Sequence, residues 1–212
     1  MCSSDLIFSD AQLLFPERFT VELLVDARAQ AAAAGTRFAV CTHRRTRVGG
    51  DGLVSIGPTA AGGDAFEVRA DAIVNATGAW VDRTLEALVP RPAGSGDDGH
   101  RLIGGTKGSH LLLDCPSLRS ALAEHGVYCE AVDGRPVFVL PFGPELVLVG
   151  TTDIPFSGDP AEARADDTEI DYLLAAVQRI FPTVGVGRAG VQQHYCGVRP
   201  LPFVAADGRS PA

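Results

Sequence analysis

The chain has 212 residues, 46% of them hydrophobic and 21% charged, enough apolar material for one large or two small globular domains. Its net charge of −8 and pI near 5.0 speak against a general nucleic-acid binder, which needs a basic face. An anionic small substrate remains compatible, because it requires only local cations. The five cysteines, Cys2, Cys41, Cys115, Cys129 and Cys196, form no CxxC pair. Neither a metal site nor a disulfide framework is expected, and reduced cytosolic thiols are. No apolar run is long enough to span a bilayer, and the first six residues lack the charged and apolar regions of a signal peptide.

Pro16 and Glu17 open a helical stretch with Val21, Leu24 and Val25 on one face, an alanine-rich body and Gly35 as its stop. Residues 36–42 read as a strand with Phe38 and Val40 on one face. Arg44, Arg45 and Arg47 follow; such a run suits either a phosphate or, more commonly, a solvated strand face. Glycine-rich turns then separate two short meandering strands at residues 53–56 and 65–70. Residues 72–80, AIVNATGAW, predict a buried strand, a small-residue turn and the start of a helix through Val81, Leu85 and Leu88. Backbone N–H groups at such a turn can meet a phosphate, although many α/β crossovers look the same. Trp80 is expected in the core. Residues 90–99 are rich in Pro, Gly, Ser and Asp and read as a linker, the best domain boundary.

Beyond it, a glycine-rich stretch leads through Lys107, Gly108, Ser109 and His110 into the apolar run Leu111, Leu112, Leu113, without the spacing of a P-loop. His110 reads as a structural hydrogen-bonder or, if it lines a pocket, as a proton acceptor. Residues 137–153, VFVLPFGPELVLVGTTD, predict a β-hairpin with Pro141 and Pro144 in its loop and both faces covered, because neither run alternates. Its end, Gly150, Thr151, Thr152 and Asp153, is either a plain strand-ending turn or a polar cluster aimed into a cavity. Asp166 to Glu169 carry the acids and cap of a helix start. Ile170, Leu173, Leu174, Val177, Ile180 and Phe181 give that helix a core-facing stripe, ended by Pro182. Residues 191–198 form a strand that delivers Arg199. Its guanidinium fork suits a carboxylate or phosphate if it faces a cleft.

Taken in order, residues 73–81 (IVNATGAWV), 107–110 (KGSH), 137–141 (VFVLP), 150–153 (GTTD) with 158–160 (GDP), and 195–201 (YCGVRPL) resemble the FAD-dependent glycerol-3-phosphate dehydrogenases of the D-amino-acid-oxidase-like superfamily. The resemblance runs from about Phe8 to about Leu201. It implies a mixed α/β (α+β) fold in two interleaved parts: a partial FAD-binding domain of dinucleotide type at residues 1–90, and a substrate domain with a mixed, largely antiparallel sheet at 91–200. Residues 201–212 would be a truncated C-terminal segment. It also implies hydride transfer from C2 of sn-glycerol 3-phosphate to FAD, giving dihydroxyacetone phosphate, with electrons passed on to a quinone. By resemblance, Ala76, Thr77 and Gly78 form an FAD-contacting turn, and the basic run near residues 42–46 lies by the adenine end. His110 is the candidate base, Arg199 the substrate-facing cation, and Thr151 and Thr152 lie near the substrate. No metal and no nucleic-acid partner is implied. The location implied is cytoplasmic, or peripheral on the inner membrane.

The chain departs from this family in having no GxGxxG turn before a helix and no segment matching the family's C-terminal region. An internal fragment of such an enzyme is therefore expected, inactive and poorly soluble alone. Other readings stay open: an amine or hydroxy-acid oxidase of the same superfamily, a non-catalytic binding module, or a structural remnant.

Overall fold

The structure is a computed structural model that describes residues 7–49, 51–60, 62–88 and 101–203. The expected linker at residues 90–99 lies outside these, and so does the boundary placed after residue 90. The chain divides into two compact units, residues 1–45 with 57–64, and residues 46–56 with 65–212.

The first unit carries helix α1 (Pro16–Ala33), which begins as expected with proline in its first turn and Glu17 beside the helix N-terminus. It stops where Gly35 takes φ +67°, and Thr36 N–H closes the last turn onto Ala31 O at 2.9 Å. None of its residues is buried. The strand expected at residues 36–42 does not form: Phe38 and Val40 are exposed, and the first strand, β1 (Arg44–Val48), begins later. A β-rich composition makes a strand only where a neighbouring backbone completes the ladder. The arginines of β1 are all exposed, the solvated strand face that the run suggested.

Strands β2 (Leu53–Pro58) and β3 (Phe66–Arg69) complete a small sheet in the order β1-β2-β3, with β2 and β3 antiparallel. The buried strand expected to open residues 72–80 is absent. Ile73 and Val74 are exposed, Val74 to 86%, and these residues belong to no strand. Gly78 (φ +59°) instead turns the chain into a short 3-10 helix (Gly78–Trp80) that runs on as α2 (Val81–Leu88). Trp80, expected in the core, is 43% exposed.

The larger sheet is antiparallel throughout its assigned pairs. It contains β4 (Thr106–Asp114), β5 (Val127–Glu130), β6 (Pro136–Phe142), β7 (Leu146–Gly150) and β8 (Ile154–Pro155) in the order β5-β6-β7-β4-β8, and β9 (Val191–Arg199) also pairs with β4. The predicted hairpin is thus β6 and β7, with Pro144 in its turn. Pro141, expected in the same turn, lies in β6 opposite Val147. The β5 pairs end at Val139, so Pro141 lies past the β5 ladder, where a strand tolerates proline.

One sheet face makes the core. Leu111 and Leu113 of β4, Val137 and Val139 of β6, and Val147 and Val149 of β7 have 0 to 1% of their surface exposed. They pack on α3 (Pro116–Leu122), through Leu118 and Leu122, and on α4 (Asp167–Ile180), through Ile170, Leu173 and Val177. Each such side chain contributes about 1.5–3 kcal/mol of hydrophobic stabilisation. Helix α4 starts on a capping box in which Asp166 accepts from Glu169 N–H at 3.0 Å and Glu169 accepts from Asp166 N–H at 3.1 Å. The other face of the hairpin is not covered as the sequence suggested: Phe138, Leu140 and Leu148 are only half-buried. That half-open face carries the candidate site.

Candidate active site

Strand alternation sorts β4 into two sets of side chains. Lys107, Ser109, Leu111 and Leu113 face α4 and the core, whereas Gly108, His110 and Leu112 share the opposite face. The ladder sets Tyr195 of β9 opposite His110 on one side and Gly150 of β7 on the other, and Phe138 of β6 opposite Gly150. The His110 ring stacks on Tyr195, with centroids 4.9 Å apart and planes 9° apart, and lies 5.7 Å from the Phe138 ring. Phe138 is in turn 5.9 Å from Tyr128. The row is continuous because Gly150 has no side chain. A Cβ there would run into the His110 ring and meet Phe138 Cζ at 2.9 Å.

Arg199 ends β9 and folds back over Gly108, where a Cβ would collide with its guanidinium. Its Nη2 donates to Thr151 Oγ1 at 2.7 Å, and its Nη1 donates to Thr152 O at 3.2 Å and to Asp153 Oδ1 at 3.3 Å. Two of these acceptors are neutral and the carboxylate contact is long, so positive charge remains available on a side chain that is 32% exposed. His110 is pushed down to about 4, first by burial and then by the nearby Arg199 charge. It is therefore neutral near pH 7, the form that can accept a proton. Its buried Nδ1 has no hydrogen-bond partner among the described residues. The structure thus brings His110, Arg199 and Thr151 together.

Thr152 stands differently. It is 2% exposed; its hydroxyl donates to Glu169 Oε1 at 2.7 Å and accepts from Ser109 N–H at 2.8 Å, so only its carbonyl serves Arg199. Glu169 is itself buried. Its Oε1 also accepts from Ser109 Oγ at 2.8 Å, and its Oε2 pairs with Lys107 Nζ at 2.7 Å. Burial opposes both charges of this pair. The ion pair and its hydrogen bonds outweigh it, holding Glu169 below and Lys107 above their ordinary ranges. The sequence placed Glu169 only among the acids of a helix start, and it assigned no site role to Lys107, Ser109, Phe138, Tyr195 or the two glycines. Alternation counted from His110 would have set Gly108 on its face and Lys107 and Ser109 behind; the partners across the ladder required the register.

Ala76, Thr77 and Gly78 lie in the turn before α2. Thr77 Oγ1 donates to Asn75 Oδ1 at 2.8 Å and is 3.0 Å from Thr84 Oγ1, while Asn75 Nδ2 donates to Val81 O at 2.9 Å. The turn is thus internally braced, and nothing lies within 4 Å of where a Gly78 Cβ would be, so its backbone is open to close approach. An open glycine turn and an unpartnered buried ring nitrogen on the aromatic face both fit a bound flavin nucleotide with a substrate beside it.

Residues 2–211 match the family described as FAD dependent oxidoreductase. The chain belongs to this family of FAD-dependent oxidoreductases. It is 35% identical over 207 residues to the glycerol-3-phosphate dehydrogenase of Synechocystis sp. (strain ATCC 27184 / PCC 6803 / Kazusa), covering 95% of this chain and 36% of that protein. It is 34% identical over 139 residues to the D-erythritol 1-phosphate dehydrogenase of Brucella abortus (strain 2308), covering 66% and 26%. The crystal structure of glycerol-3-phosphate dehydrogenase from Bacillus halodurans complexed with FAD superposes with a TM-score of 0.60 at 26% identity, covering 77% of this chain and 32% of that one. The chain therefore spans about a quarter to a third of the length of these relatives. FAD is the cofactor of its family, and among the described residues no helix is long and apolar enough to cross a membrane.

Proposed function

We propose that this chain is the part of a flavoprotein dehydrogenase that binds sn-glycerol 3-phosphate and promotes its oxidation at C2 to dihydroxyacetone phosphate. The observation that carries the reading is a neutral histidine and a partly free arginine on one sheet face, in a chain similar to glycerol-3-phosphate dehydrogenases. His110 accepts the proton of the C2 hydroxyl. Arg199 lends charge to the substrate oxygens, and Thr151, bonded to it, keeps the fork in place. FAD, when bound, supplies the acceptor for the hydride that leaves C2, so the alcohol loses one proton and one hydride and becomes a ketone. Ala76, Thr77 and Gly78 would hold the nucleotide. Tyr195 and Phe138 flank the base and set the plane of its ring. A membrane quinone is the proposed final acceptor, reached by peripheral association.

A longer polyol phosphate is the second reading, supported by the similarity to the erythritol enzyme. Anaerobic flavin reduction separates them, with the chain in place of the matching segment of the Synechocystis protein. Reduction fastest with glycerol 3-phosphate supports the first reading; reduction fastest with D-erythritol 1-phosphate supports the second. Reduction by an amino acid alone would overturn both.

A further inference from the structure

Glu169 sits on the core face of the sheet, one turn ahead of Leu173 on the stripe of α4 where a hydrophobic residue would be expected. A carboxylate kept there only for its ion pair and its cap would need one oxygen, and Oε2 meets both demands through Lys107 and Asp166 N–H. The other oxygen is given to two hydroxyls from two different segments: Ser109, between Gly108 and His110 on β4, and Thr152, in the turn after β7. Because both hydroxyls must donate to Oε1, the Thr152 oxygen is left to accept from Ser109 N–H, and Thr152 N–H reaches back to Ser109 O at 3.4 Å. The two segments are thereby closed against each other. Through the sheet, one of them carries His110 and the glycine under Arg199, and the other carries all three acceptors that hold the Arg199 fork.

We infer that Glu169 is a positioning residue of the active site: from behind the sheet its carboxylate locks the Ser109 and Thr152 segments together and so fixes where Arg199 and His110 present their groups. This rests on the proposed roles of those two residues, but its test needs neither cofactor nor substrate. Thr152→Val removes the linking hydroxyl at nearly constant volume, and Thr152→Ser keeps it. Two readouts are followed in the full chain: the rate at which phenylglyoxal modifies Arg199, by peptide mass spectrometry, and the titration of His110, by NMR. Exposed Arg45 is the internal reference and near-ultraviolet circular dichroism reports folding.

In folded Thr152→Val, modification of Arg199 speeds several-fold relative to Arg45, and the His110 titration rises toward its ordinary value as the guanidinium moves away. Thr152→Ser keeps both values of the unsubstituted chain. A folded Thr152→Val with both readouts unchanged overturns the inference, as does a Thr152→Ser that behaves like Thr152→Val. Should Thr152→Val not fold, Ser109→Ala decides: the same two changes, smaller in size, support the lock, and unchanged values overturn it. A failure of glycerol 3-phosphate to reduce flavin would overturn the substrate reading while leaving these readouts as they are.

Discussion

At the scale of single residues, the site depends on which groups are charged. His110 is held near 4, below the ordinary 6.5, by burial and by Arg199. Between those two pH values the unfolded chain holds more protons than the folded one. Stability therefore falls as the pH drops from 6.5 toward 4. Urea unfolding at about pH 7 and about pH 5 should show a loss of roughly 1–2 kcal/mol, reduced in His110→Phe. An equal loss in the variant would assign the acid sensitivity elsewhere. Gly108 offers a second check: Gly108→Ala places a methyl group where the Arg199 guanidinium lies. It should weaken binding of glycerol 3-phosphate about as much as Arg199→Ala, by roughly 10²-fold, when affinities are compared in the flavin-loaded hybrid. That His110 and Arg199 belong to candidate chemistry was legible in the sequence because imidazole and guanidinium announce what they can do; the roles proposed for them rest on the experiments below. The glycines beneath them were not, since their role is to be empty and only the register shows what fills the space. Thr152 was legible as a neighbour of the site, but the direction of its hydroxyl depends on Glu169, 17 residues away.

At the scale of elements, the contact between β4 and α4 combines an apolar core with one buried ion pair. Lys107→Met leaves Glu169 without its cation and should cost about 3–5 kcal/mol in chemical denaturation. Adding Glu169→Leu should recover only part of this, because the Ser109 and Thr152 hydroxyls then lose their acceptor. Full recovery would mean that the hydroxyls contribute nothing. Asp166→Ala, which removes the cap of α4, should cost about 1 kcal/mol in the same measurement. Helix α4 and the β6–β7 hairpin were legible because each carries its own instruction: a capping box with a helical stripe, and two β-branched runs about a turn. The strands expected at residues 36–42 and at the start of residues 72–80 were not, although their composition is as suitable. A strand is a property of two backbones, and neither segment belongs to a ladder in the structure.

At the scale of the whole molecule, a chain of net charge −8 presents the Arg199 guanidinium, only loosely paired with Asp153, on the face proposed to bind the phosphate ester. The field of the molecule therefore opposes the substrate at long range, and attraction is confined to the contact of the Arg199 fork. Affinity for glycerol 3-phosphate should then depend strongly on Arg199 and weakly on bulk acidic residues far from it, with salt raising rather than lowering the association rate. Because the chain spans about a quarter to a third of its relatives, the complete reaction is tested in a full-length frame. The most direct measurement is anaerobic stopped-flow bleaching of the flavin by glycerol 3-phosphate in the Synechocystis protein whose matching segment is replaced by this chain, with His110→Ala and Arg199→Ala beside it. The account predicts bleaching in the unsubstituted hybrid, slowed by about 10²–10³-fold in each variant while FAD stays bound. Bleaching that proceeds unchanged without His110 and Arg199, or a flavin-loaded hybrid that glycerol 3-phosphate leaves oxidised, would contradict it.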